Sequence, residues 1–206
     1  MPIECRIAHG PEDREQVYRL RYGCYFRKGS IAPRADRRFS DRFDDTPNHF
    51  SFLVADVARG PLATVRIGVV SPSRGWTESP AGSVFGDHAA YRSLARESFV
   101  EASRLCFGPQ ARRDALMRLL GNMAALADVF QCEWLTACPR QEHAPMYQRL
   151  FGFRPMAEPR KYFGVDFETQ LLAIRREELR EHVRCFKPMT AAWAEALAGL
   201  KLSVAA

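Results

Sequence analysis

The stretch "FVEASRLCFGP" (99–109) is an apolar run of strand character that holds a carboxylate and a guanidinium, Glu101 and Arg104, three residues apart. Burying either charge unpaired costs several kcal/mol, so the run calls for partners elsewhere in the chain. Four more ionisable groups lie beside or within apolar surface: Arg21, Asp41, Asp44 and Arg66. Three acids and three bases could neutralise one another in a cleft, which makes buried charge tolerable and moves pKa values into a range useful for proton transfer. For Arg66 a second reading stays open. In "ATVRIGVV" alternation sends Ala63, Val65 and Ile67 to one side and Thr64, Arg66 and Gly68 to the other, which a solvated sheet face would also explain.

The elements that must position these groups follow from periodicity and punctuation. "IECRIA" (3–8) alternates as a first strand. "GPEDREQVYRLRYGCYF" opens a helix with Pro11 in its first turn and Glu12 and Asp13 at the positive end of the dipole, and it puts Val17, Leu20, Arg21, Cys24 and Tyr25 on one stripe. From Arg27 to Asn48 the chain is polar and aperiodic, a length more often functional than connecting. "HFSFLVADV" and "PLATVRIGVV" form a hairpin through "ARG", and a second irregular stretch, "SPSRGWTESPAGSVFGDHAAYRS", follows. After the charged strand comes a helix with Leu116, Leu119, Leu120, Met123, Ala127 and Phe130 on its core face. Then follow the strand "EWLTACP", a short helix ending at Gly152, and last strands in "YFGVDFETQLLAI". The tail from 175 to 206 is helical and amphipathic, an extension packed on a single α/β (α+β) domain of residues 1–174.

Composition excludes several classes. The 206 residues are 47% hydrophobic and 26% charged, ordinary for a globular protein, and no apolar run approaches the roughly 20 residues of a membrane span. The N-terminus lacks an apolar signal core, so a cytoplasmic location is expected. The net charge of +6 is carried almost wholly by arginine, which favours an anionic partner bound through bidentate contacts. No basic tract or recognition-helix pattern points to nucleic acid. Cys5, Cys24, Cys106, Cys132, Cys138 and Cys185 have no metal-ligand spacing and read as reduced core or edge residues, with no metal expected. No strand is followed by a dinucleotide or Walker glycine pattern.

With these residues in place, "DRFD" (41–44), the strand Arg66, Phe85 and "EASR" (101–104) resemble the D-x-F-D, Arg, Phe and E-x-S-R pattern of acyl-homoserine lactone synthases. "YRLRYGCYFRKGSIAP", "DRFDDTPNHFSF" and "MYQRLFGFRP" resemble still more closely the related N-acyl amino acid synthases. Both groups share the N-acetyltransferase (GNAT) superfold, and the likeness covers roughly residues 14 to 174. It implies a three-layer sandwich around a splayed, mixed, mostly antiparallel sheet of seven strands. The gap between the parting strands would take an acyl-phosphopantetheine arm, with no tightly bound cofactor. The resemblance further implies transfer of a long-chain fatty acyl group from a thioester to an amine. The loop "GSIAPRADRRF" lacks the tryptophan that lines the S-adenosylmethionine pocket of the lactone synthases, which favours an amino-acid acceptor, whereas Glu101 keeps the glutamate of their pattern.

The roles this implies are as follows. Glu101 is the acceptor-side base, while Asp41 and Asp44 hold the amine and order the loop. Arg21, Arg66 and Arg104 bind the acceptor carboxylate or fix those acids. Tyr25, Phe85 and Ser103 complete the substrate site, with Phe85 also placed on the acyl tunnel and the Ser103 hydroxyl structural rather than nucleophilic. The thioester oxygen meets backbone N–H groups near Leu105, Cys106 and Phe107, and Arg112 and Arg113 at the next helix's start face the carrier's phosphate. Tyr147 is a candidate general acid or a packing residue; His88 and His143 are expected at the surface or as caps. "GPQARRDALMR" lacks the glycine-rich pyrophosphate loop of coenzyme A-dependent relatives, which favours an acyl carrier protein as donor and partner. The readings left open are a lactone synthase and a non-catalytic module binding acyl carrier protein or acyl lipid.

Overall fold

The structure, a computed structural model, describes residues 3–56, 58–111 and 113–182. Strands β1 (Ile3–Ile7), β2 (His49–Asp56), β3 (Gly60–Val70), β4 (Phe99–Phe107), β5 (Trp134–Ala137), β6 (Arg154–Pro155) and β9 (Leu172–Arg175) form one seven-stranded sheet in the order β1-β2-β3-β4-β5-β9-β6. A separate ribbon pairs β7 (Arg160–Lys161) with β8 (Glu168–Thr169). Every neighbouring pair in the main sheet is antiparallel except β4 and β5. The seven strands, their mixed sense and the flanking helices agree with the sequence reading.

One face of the sheet is apolar. Phe50, Val54, Val65, Ile67, Val69 and Val100 pack against Ala115, Leu119, Met123, Leu126 and Ala127 of helix α4 (Arg113–Val129). The opposite face is covered by helix α1 (Pro11–Arg27), the chain between it and β2, helices α2 (Pro80–Phe85) and α3 (Ala89–Arg96), and the β7–β8 ribbon. The last two helices lie in the stretch read from sequence as irregular. Ser79 caps α2 by accepting from Gly82 N–H, and Pro80 follows at its first position, but helices of six and eight residues are too short to show a periodic pattern. Helix α5 (Ala144–Phe151) ends at Gly152, where φ of +73° needs a residue without Cβ. Helix α6 (Arg176–His182) brings Leu179 into the main core; the rest of the proposed extension, with Cys185, lies outside the described residues.

Two backbone events shape the site. β4 and β5 pair from Phe99↔Trp134 to Ala102↔Ala137 and then part, because β5 ends while β4 runs on to Phe107. In the same stretch the β3 register passes from Arg66↔Ser103 to Thr64↔Cys106, which inserts one extra residue, Arg104, at φ of +54°. In a regular strand residues 101 and 104 would face opposite sides; the bulge turns Arg104 onto the face that carries Glu101. Leu119 is fully enclosed against the sheet, so Leu119→Ala is expected to lower unfolding stability by about 2–5 kcal/mol in urea titration, with the described fold retained.

Candidate active site

The site begins with a turn. Arg42–Asp45 form one 3₁₀ turn whose N-terminal end is closed reciprocally by two acids: Asp41 Oδ1 accepts from Phe43 N–H (3.0 Å) and Asp44 Oδ2 accepts from Asp41 N–H (3.0 Å). The spacing of three between the aspartates is what this reciprocal cap requires. Their remaining capacity meets the arginines. Arg21 Nη1 donates to Asp44 Oδ1 at 2.7 Å, Arg66 Nη1 to Asp41 Oδ1 at 2.5 Å, and Arg104 Nη2 to Asp41 Oδ2 at 2.8 Å. Arg66 also lies 3.2 Å from Asp44. Ser51 and Ser103 hydroxyls accept from Arg21 Nη2 (2.8 Å) and Arg66 Nε (3.1 Å), which places Ser103 as a support for the guanidinium.

Arg21 and Arg66 are fully buried, so the solvated-face reading of Arg66 does not hold. The cause is tertiary: α1 and the 3₁₀ turn close over that side of the sheet. Burial opposes the charge on Asp41, but Arg66 and Arg104 outweigh it and hold the carboxyl well below the usual range; at Asp44 burial is likewise outweighed, by Arg21 and Arg66, and the pKa is lowered. The arginines therefore hold the two aspartates and the 3₁₀ turn that carries them. All four aspartate oxygens already accept from the chain. Arg104 is further enclosed by Phe39, Tyr162 and Tyr25, whose ring centres lie 4.5, 5.4 and 5.6 Å from its guanidinium carbon. Burial works against this charge too, and the tyrosines and Asp41 raise its pKa above the ordinary value.

Glu101 stands apart from this network. It is fully buried and accepts from Ala81 N–H in the first turn of α2, at 3.0 and 3.2 Å. It makes no ion pair with Arg104, although the sequence places the two charges side by side. Burial pushes its pKa up to about 7, against the opposing pull of Ala81 N–H, the Ser79 hydroxyl and Arg66. His49 lies on the same face, buried, with the Phe43 ring tilted against it at 5.3 Å between ring centres. Sequence reasoning passed over it; the available signal was a histidine two residues before Ser51 in an alternating strand, hence on the face of Arg66.

Where β4 and β5 part there is a cavity of about 530 Å³, bounded by β4 from Ala102 to Phe107, the end of α1 and the chain from Ala137 to Tyr147. Leu105, Cys106, Phe107 and Tyr147, the residues expected on the donor side, line it together with Tyr25, expected in the acceptor site, and Tyr147 also packs edge-on against Phe151 and Phe153. Burial raises the Tyr147 phenol well above its usual pKa, which keeps it protonated. Arg27, Lys28 and Arg140 stand among the lining residues, as does His143, which sequence reading placed at the surface or as a cap. His88 does cap α3, accepting from Ala90 N–H at 3.2 Å. Phe85 is enclosed in a second core with Val70, Leu94 and Phe99 and does not line this cavity. Arg112 and the Arg113 side chain lie outside the described residues. Cys24 lines the cavity beside Cys106, and that neighbour together with Arg27 and Lys28 lowers its thiol pKa.

With this geometry the comparisons are specific. Residues 16–175 match the family profile described as N-acyl amino acid synthase FeeM. The chain belongs to that family. It is an N-acyltransferase on a GNAT-like fold. The structure of FeeM, an N-acyl amino acid synthase from uncultured soil microbes, superposes with a TM-score of 0.71 at 16% identity, covering 88% of this chain and 94% of that one. BjaI, a coenzyme A-dependent acyl-homoserine lactone synthase solved with MTA, gives 0.63 at 21% identity over 91% and 90%. An N-acetyltransferase-like protein from Lactobacillus plantarum gives 0.57 at 15% identity over 85% and 99%. At these identities the structural likenesses speak for the fold. No curated protein matches the sequence. No helix among the described residues is long and apolar enough to cross a membrane.

Two expectations follow from the buried charges. Asp44→Ala strands the Arg21 guanidinium, leaves Arg66 to Asp41 alone and opens the capped turn, so unfolding stability is expected to fall by about 3–5 kcal/mol in urea titration. Glu101 has the opposite sign. Its folded pKa of about 7 lies above the ordinary 4.5, so between these values the folded chain binds more protons than the unfolded one and stability falls as pH rises. Glu101→Gln is therefore expected to match wild type near the lower limit and to exceed it above the upper one, by on the order of 1 kcal/mol or more, in thermal melts across pH.

Proposed function

We propose that this acyltransferase joins a long-chain fatty acyl group, delivered as an acyl carrier protein thioester, to the amine of an amino acid. The observation that carries the reading is the charge balance of the site. Three buried guanidiniums, Arg21, Arg66 and Arg104, face two ionised aspartates, and the nearby third acid, Glu101, has its pKa raised to about 7. The site thus holds an excess of positive charge beside a carboxyl able to change protonation at neutral pH. Arg21 Nε adds a buried donor without a partner. An amino acid supplies what is missing, a carboxylate for the cations and an amine for the base.

On the donor side, the cavity at the splay suits a pantetheine arm and the head of an acyl chain, with Arg27, Lys28 and Arg140 as counter-charges for one phosphodiester. The Gly108 N–H, at the turn where coenzyme A-dependent relatives carry their glycine-rich loop, donates to Leu62 O at 2.7 Å. This favours a carrier protein over a free pyrophosphate ligand, and an acidic carrier suits the arginine-rich chain. In the reaction the amine nitrogen attacks the thioester carbonyl, the C–N bond forms and the C–S bond breaks. The Glu101 carboxylate takes a proton from nitrogen, the β4 backbone beyond Ala102 is placed to meet the oxyanion, and Tyr147 stands in the cavity as a protonated group for the leaving thiolate. The loop between α1 and β2 holds no tryptophan, and its Phe39 is packed on Arg104, which speaks for an amino acid over S-adenosylmethionine.

Lipid extracts of cells expressing wild type and Glu101→Gln test this by mass spectrometry. New acyl amino acids that vanish in the variant are expected; acyl lactones would transfer the assignment to a lactone synthase. With purified protein and acyl carrier protein, the rate is expected to rise with pH on a limb centred near 7, since the base must be ionised, and Glu101→Gln should lower kcat by about 100-fold or more and remove the limb. No amide in either strain, with carrier binding retained, would point to a binding module.

A further inference from the structure

His49 has a hydrogen-bond environment that fixes its tautomer. The neighbouring Asn48 amide nitrogen donates to Val69 O (2.9 Å) and Glu78 O (3.1 Å), so the amide oxygen is the atom that faces His49 Nδ1 at 3.0 Å. A carbonyl oxygen only accepts, which requires the proton on Nδ1. Thr46 agrees: its hydroxyl donates to Phe43 O at 3.1 Å, leaving its oxygen to accept from Nδ1 at 2.6 Å. The other ring nitrogen, Nε2, is then a bare lone pair. It is buried and has no hydrogen-bond partner, in a residue only 8% exposed. Burial and Arg66, opposed by Asp41 and Asp44, depress the ring's pKa to about 3, so Nε2 does not acquire a proton at neutral pH. A buried acceptor left unsatisfied is destabilising and calls for a donor from outside the chain.

The sheet shows where that donor belongs. His49 pairs with Gly68, Gly68 with Glu101 and Glu101 with Thr136, so the three strands place histidine, glycine and glutamate in one row on the charged face. A Cβ on Gly68 would meet His49 Nε2 at 2.6 Å; the glycine is what lets the ring lean from β2 across β3 toward β4. Two acceptors thus flank Gly68: Nε2, which can only accept, and the Glu101 carboxylate. Arg21 Nε is a buried unpartnered donor on the same face, held by Asp44, which also acts on His49. One orphan acceptor and one orphan donor match the ammonium and carboxylate of an amino acid.

We propose that His49 Nε2 accepts a hydrogen bond from the reacting nitrogen of the acyl acceptor, opposite Glu101, and so selects primary amines. This rests on the amide-forming reading above. An α-ammonium group carries three N–H protons. Two leave in amide formation, one ending on the released thiol and one in solvent by way of Glu101, and one stays in the product amide. His49 is too weak a base to take a proton and holds the one that stays. A secondary amine retains no N–H in its tertiary amide and would leave Nε2 unpartnered again.

The test uses the full-length enzyme, an acylated carrier protein, the standard amino acid that wild type acylates best, and the N-methyl derivative of that amino acid. His49→Asn keeps an N–H₂ at the Nδ1 position for Thr46 and Asn48 but has no atom at Nε2. It is expected to lose about tenfold or more in kcat/KM for the primary amine, the size of one lost hydrogen bond, with donor KM within about twofold and the preference over the N-methyl acceptor reduced. Unchanged acceptor kinetics and preference, with wild type still making amides, overturn the His49 assignment and leave the parent reading intact. Failure of wild type to acylate any amino acid overturns both. Independently of any variant, ¹⁵N-histidine spectra of wild type should show an unprotonated Nε2 whose resonance moves toward the hydrogen-bonded position when the amino acid is added. A resonance that stays still at saturation also overturns the proposal.

Discussion

The chain Arg21–Asp44–Arg66–Asp41–Arg104 is the constraint on which the rest of the structure depends. It joins helix α1, the 3₁₀ turn, β3 and β4 through contacts of 2.5–3.2 Å, with almost no access to water. Such a network contributes little net stability over a well-packed apolar alternative, because desolvation offsets most of the attraction. It does dictate geometry: any element that moves strands a charge in a medium where a stranded charge costs several kcal/mol. The polar segment between α1 and β2 buries two aromatic rings, Phe39 and Phe43, and the two capping aspartates fix how the turn between them sits on the sheet.

The same logic accounts for the strained backbone at Arg104. A non-glycine residue at φ of +54° is unfavourable by roughly 1 kcal/mol or more. Here it places the guanidinium on Asp41 and between aromatic rings, contacts available only on the face to which the bulge turns it. The bulge lies at the point where β4 leaves β5, so one irregularity serves two compartments. On the charged face it completes the ion network; at the splay it forms part of the wall of the 530 Å³ cavity, to which Arg104 also contributes. The charged face and the cavity thus meet at three residues of one strand, Ser103 to Leu105.

Within this site the ionisable groups divide by partner. Asp41 and Asp44 are surrounded by cations and stay charged; Glu101 has one backbone N–H and no guanidinium in contact, and its pKa rises. His49 is driven the other way by burial and Arg66. A fixed anionic scaffold on the 3₁₀ turn, and on the strands beneath it a carboxyl whose pKa is raised to about 7 and a neutral imidazole, are three electrostatic states gathered over one sheet face.

Much of this was legible along the chain. Alternation in β2 and β3, the heptad-like spacing from Leu116 to Phe130 and the Pro11 and Gly152 punctuation determined the main elements, because those signals are local and repeat. The unusual charges at 21, 41, 44, 66, 101 and 104 marked the site, because an ionisable group in an apolar pattern must have a partner. What the sequence could not carry was who pairs with whom. Glu101 and Arg104 stand three residues apart, yet the bulge sends Arg104 to Asp41 and leaves Glu101 to an N–H of α2, a helix too short to announce itself. The unpartnered nitrogen of His49 depends on an amide orientation at Asn48 and the absent Cβ of Gly68, contacts between strands 19 residues apart in register. Residue types and periodicity determined the fold and the presence of a charged site; only the packing of strands and loops decided the protonation and pairing of its members, because those depend on distances of a few ångströms between segments remote in the chain.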